Sequence, residues 1–64
     1  MRKQDYLILA AAIKKHRESA IGYAAQAGVS EKDCEAARCA EAIARTFARF
    51  AHVDAVEFLK ACGL

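Results

Sequence analysis

One run of residues, Ser30 to Phe50, constrains this chain more than any other, because it carries helix start, period and stop signals together. Ser30 is suited to cap a helix, its hydroxyl accepting from an orphan N–H of the first turn. Asp33, three residues on, makes a shortened capping box. Glu31, Asp33 and Glu35 place negative charge at the positive end of the helix dipole, and Arg45 and Arg49 place positive charge at the other. Ala36, Ala40, Ile43, Phe47 and Phe50 recur in steps of three and four, which predicts one apolar stripe. A second stripe of Ala37, Ala44, Ala48 and Ala51 lies beside it. The polar arc of Glu31, Glu35, Arg38, Glu41, Arg45 and Arg49 is narrow, so most of this helix needs cover.

That need meets a short chain. Its 64 residues make a single helical domain, 1–64, whose core is worth about 3–5 kcal/mol net. Hydrophobic residues make up 56 %, more than so small a core can hide, which predicts a homo-oligomer. No proline interrupts the chain, and no alternating β-branched run suggests a strand. The formal charge of +2 gives no strong attraction to nucleic acid or membrane. The longest apolar run, Tyr6 to Ile13, is well short of the roughly 20 residues of a membrane span and lacks a signal-peptide pattern. The expected location is cytoplasmic. Cys34, Cys39 and Cys62 read as three reduced thiols, and neither histidine supplies a zinc-ligand spacing, so no metal and no cofactor is expected.

Before the central run, Tyr6, Leu9, Ala10 and Ile13 form the core stripe of a first helix, widened by Leu7 and Ile8. Lys14-Lys15-His16-Arg17 is either the basic end of that helix or a solvated face of one that continues. With no proline to force a break, the helix is expected to reach Ala27, either continuous or kinked or broken between His16 and Gly22. Gly28 reads as a left-handed C′ residue and Val29 as its apolar partner. The central helix then follows at once, which predicts an antiparallel hairpin. A short third helix starts at Asp54, where Asp54-Ala55-Val56-Glu57 is an acidic capping box, Val53 and Phe58 form a hydrophobic staple, and Gly63 ends the helix. The fold class is all-α: an antiparallel helical hairpin plus a short C-terminal helix, oligomeric.

The two ends resemble a family of small helical proteins encoded by tailed phages and prophages, whose function is unassigned. The opening Arg2-Lys3-Gln4-Asp5-Tyr6-Leu7-Ile8-Leu9-Ala10 has the family's basic residue, aromatic and apolar helix. The closing Asp54-Ala55-Val56-Glu57-Phe58-Leu59-Lys60-Ala61-Cys62-Gly63 has its Phe-Leu-x-x-Cys-Gly, and Ala42-Ile43-Ala44 resembles the middle of its long helix. Val53 stands where the family usually has Phe, and Phe50-Ala51 where it often has Asn-Pro. Lys14 to Val29 do not match. The resemblance covers about half the chain. It implies phage origin, a small helical fold and the cytoplasm of an infected bacterium, and it transfers no catalytic residue.

No nucleophile motif, phosphate loop or HExxH occurs, so catalysis is not expected. Binding is the expected mode. Arg38, Arg45 and Arg49 fall within roughly 40° around the central helix and suit phosphate or carboxylate, although a solvated face with Glu41–Arg45 and Glu35–Arg38 pairs is the favoured account of them. Lys14 and Lys15 lie in the one uninterrupted basic cluster, and Tyr6 can stack on a base or sit half-buried in the core. Small phage proteins often counter host defence, so phage origin suggests sequestering a nucleotide signal or blocking a host defence protein. A DNA-binding regulator is the first alternative, disfavoured by the balanced charge and the lack of helix-turn-helix spacing. A structural or assembly role in the phage is the second.

Overall fold

The computed structural model describes residues 2–64. Its elements are α1 (Lys3–Gln26), a 3-10 turn (Glu31–Asp33), α2 (Glu35–Phe50) and α3 (Ala55–Ala61), and the described residues contain no strand. The longest dimension, 39 Å, is close to that of α1, since 24 residues at about 1.5 Å each span about 36 Å.

α1 is continuous. Of the two alternatives the sequence left open, the helix runs without a break between His16 and Gly22: Gly22 lies in open space within it, and its cost is met by the turns on either side. The helix stops where the sequence marks it. Gly28 takes φ +78°, its N–H donates to the Ala25 carbonyl at 3.1 Å, and the Val29 N–H donates to Ala24 at 2.8 Å. These are the two bonds of a Schellman ending.

The start of α2 departs from expectation. Ser30 does not cap it. The Ser30 hydroxyl donates to the Asp33 carboxylate at 3.0 Å, residues 31–33 tighten into the 3-10 turn, and Cys34 is extended before α2 begins at Glu35. The reason lies in Glu31. On a helix continuous from Ser30, Glu31 would fall within roughly 20° of Arg38 on the outer face. The break lets it turn back to α1, where Arg17 holds it at 2.9 Å.

Tyr6, Ala10, Ala44, Ala48, Phe58 and Cys62 form the core cluster. Alanines dominate where α1 meets α2, because two backbones approach closely only over small side chains. α3 then supplies the bulk. Phe58 is fully buried, its ring 4.9 Å from that of Phe47 and 6.3 Å, edge-on, from that of Tyr6. Half of the expected capping box forms: the Asp54 carboxylate accepts from the Glu57 N–H at 3.0 Å. The Glu57 side chain does not return to the cap. It pairs with Lys3 Nζ at 2.9 Å, fastening α3 to the start of α1. Val53, partly buried, packs on the cluster that holds Phe58, as the staple requires.

The two stripes of α2 separate. Ala37, Ala40, Ala44 and Ala48 are buried, whereas Ile43 is 62 % and Phe50 74 % exposed. The core stripe therefore runs through the small residues, and Ala36, Ile43 and Phe50, expected in it, lie outside. On α1 the same correction applies to Leu9 and Ile8, both exposed, while Tyr6 and Ala10 are buried.

Candidate functional site

Arg17 is the most connected polar side chain of the fold. It extends the spacing of Tyr6, Ala10 and Ile13 by one more step of four, so it points along the same face of α1. Its Nε donates to Glu41 Oε1 at 3.0 Å, and its Nη2 lies 2.9 Å from carboxylate oxygens of both Glu31 and Glu41. The hydrogen bond to Glu41 and then the two carboxylate charges hold the guanidinium above its ordinary pKa against the cost of burial. Glu41 is thus engaged across the helix pair, and the Glu41–Arg45 pair expected along α2 does not form. Reading Lys14 to Arg17 as one basic cluster concealed this role. The step from Ile13 to Arg17 was the signal that separates it.

Around this node Ser30, Glu31, Lys32, Arg38 and Glu41 line an open cleft of about 990 Å³. Its two glutamates are occupied by Arg17, and no ion pair among the described residues involves Lys32 or Arg38.

Of the anticipated binding residues, Arg38 alone lines this cleft. Arg38, Arg45 and Arg49 are exposed on the outer face of α2, and the Glu35–Arg38 pair is absent among the described residues. Arg49 lies over the ring of its neighbour Phe50, 5.6 Å from the centroid. Lys14 and Lys15 are exposed on α1, and a methyl group added at Gly63 would meet the Lys14 stem at 3.5 Å. Tyr6 is 6 % exposed, its ring in the core and its hydroxyl directed to Glu57 over a long 3.5 Å, so it presents no face for stacking. Burial, followed by the Glu57 charge, pushes its phenol above the ordinary value.

A second surface is apolar. α3 covers the part of the α1–α2 pair that carries Tyr6, Ala10, Ala44 and Ala48. The strip of α2 that includes Cys39, Ile43 and Phe50 stays exposed, together with Leu9 of α1. Ala12, Ile13 and His16 of α1 and Ala36, Cys39, Ala40 and Ile43 of α2 line an open groove of about 430 Å³ there. The sequence carried a signal for this surface: two adjacent apolar stripes on one helix cannot both face a single close-packed neighbour.

Cys34, Cys39 and Cys62 are free thiols, and burial raises the pKa of Cys62, keeping it protonated. Among the described residues no three His, Cys, Asp or Glu side chains gather as a metal site, and no helix is long and apolar enough to cross a membrane. Comparisons with protein-family models, with curated proteins and with solved structures find no match.

Proposed function

We propose that this chain is a non-enzymatic binding module, an antiparallel helical hairpin buttressed by α3, that works as a homo-oligomer. The observation that carries the reading is the uncovered apolar strip of α2. Exposed Ile43 and Phe50 on a 64-residue chain form a surface whose burial stabilises association, at about 25 cal/mol per Å² of apolar area removed from water. The resemblance of the two ends to small phage proteins extends the proposal to a counter-defence role in an infected bacterium, by capture of a nucleotide signal or of a host defence protein. Supporting the nucleotide form are the cations without ion pairs, Lys32 and Arg38 at the polar cleft and Arg45 and Arg49 beyond it. Tyr6 drops out of that site because it belongs to the core.

Calorimetry against linear and cyclic nucleotides tests the ligand class. Binding that disappears on charge reversal at Arg38 or Arg45, with helix content unchanged by circular dichroism, supports it. No heat across the panel removes the nucleotide form and leaves capture of a protein surface.

A further inference from the structure

We propose that the uncovered strip receives a second copy of this chain, α2 against α2 in antiparallel order about a two-fold axis between Ala42 and Ile43. This rests on the homo-oligomeric reading above and assigns it a surface and a register.

At roughly 100° per residue, Glu35, Cys39, Ala42, Ile43, Thr46, Arg49 and Phe50 share an arc of about 120°, outside the buried alanine stripe. The middle of that arc is small, with Ala42 flanked by Cys39 and Thr46, so another helix can approach closely. Its ends are unlike. At the C-terminal end Phe50 stands 74 % exposed with the Arg49 guanidinium over its ring, a knob with a cation beside it. At the N-terminal end Ala36 and Cys39 form one wall of the 430 Å³ groove, with Glu35 next to them.

A two-fold axis between Ala42 and Ile43 pairs residues whose numbers are equally far from it. Phe50 of one copy then stands opposite Glu35 of the other, beside Ala36 where the groove opens, and Arg49, opposite Ala36, reaches the neighbouring Glu35. Both contacts occur twice, as an isologous interface demands. Among the described residues neither Glu35 nor Arg49 has an ion pair within the chain. Antiparallel order also sets the positive end of each helix dipole beside the negative end of its partner. A standard interface takes about 800 Å² from each partner. α2 alone is about 24 Å long, so the α1 wall of the groove, with Ile13 and His16, belongs to the contact.

Sedimentation of the full chain and its variants tests this. The parent protein sediments as a dimer at tens of micromolar. Phe50→Asp weakens dimerisation at least tenfold without loss of helix, because Phe50 lies outside the folding core. Glu35→Lys and Arg49→Glu each weaken it several-fold, and the two together restore it. In a Cys39→Ser background, which removes the exposed native thiol, Ala42→Cys, placed near the axis, joins into a covalent dimer with a short bis-maleimide, and Glu18→Cys does not. A Phe50→Asp protein that still dimerises at the parent's affinity overturns this interface but keeps the homo-oligomer. A parent protein that is monomeric throughout overturns both.

Discussion

Arg17 Nε donates to Glu41 Oε1 at 3.0 Å, joining the middle of α1 to α2 through a side chain only 18 % exposed. The same guanidinium reaches Glu31 across the 3-10 turn. One residue thus ties α1 both to α2 and to the 3-10 turn before it.

Removing that junction has a graded cost. Arg17→Met destabilises the chain by about 1–2 kcal/mol, more than a surface ion pair gives, because the group is mostly covered and charge-assisted. Glu41→Gln costs more than Glu31→Gln, since the Glu41 side chain is 23 % exposed and that of Glu31 61 %. Urea denaturation of the three variants measures the order, and equal losses for the two glutamates contradict it.

Phe58→Ala costs about 3–5 kcal/mol, comparable to all the stability a domain of this size holds, and unfolds the chain near room temperature. Phe58→Leu, which keeps most of the volume, leaves a cooperative thermal transition at lower temperature. A Phe58→Ala melting temperature within a few degrees of the parent would show that α3 does not depend on this side chain.

The same substitution acts with opposite sign at two glycines. Gly22→Ala stabilises by about 1 kcal/mol, because the site is an open helix interior. Gly28→Ala destabilises by about 1–2 kcal/mol, because its φ of +78° is strained for any residue with a Cβ. Thermal melts of the pair show both shifts, and a shift in the same direction for both refutes the continuous helix with its Schellman end.

High pH weakens the fold. Cys62 and Tyr6 are raised above their ordinary 9.0 and 10.0 by burial first, and Lys3 above 10.5 by its hydrogen bond to Glu57. In each case the folded chain holds the proton more tightly than the unfolded one. Their contributions are complete below the ordinary values and fade as pH rises through the raised ones, so stability falls from about pH 9 upward. In a Tyr23→Phe protein, tyrosinate absorbance follows Tyr6 alone and rises above pH 10. A midpoint below 10 contradicts the buried phenol.

Several parts of this architecture were legible in the residues. Asp54 and Phe58 announced α3, and Gly28 with Val29 announced the end of α1, because caps and turns are set by residues adjacent in sequence. The start of α2 was not, since Ser30 and Asp33 satisfy every local rule for a cap while Arg17, thirteen residues before Ser30, draws Glu31 away from helical register. The choice between the two stripes of α2 was equally hidden. Periodicity finds both, and only the closeness of α1 selects the alanines over Ile43 and Phe50. At the surface, spacing alone gathered Arg38, Arg45 and Arg49 on one side, and the stripe of the first helix already placed Tyr6 toward the core, where it is buried.

We propose above all that this chain self-associates. Light scattering of the unmodified protein during size exclusion, from one to a few hundred micromolar, tests it most directly. Self-association gives a mass that rises above the 7.0 kDa of one chain toward a multiple of it. A constant 7.0 kDa over that range, from a protein that melts cooperatively, would contradict it.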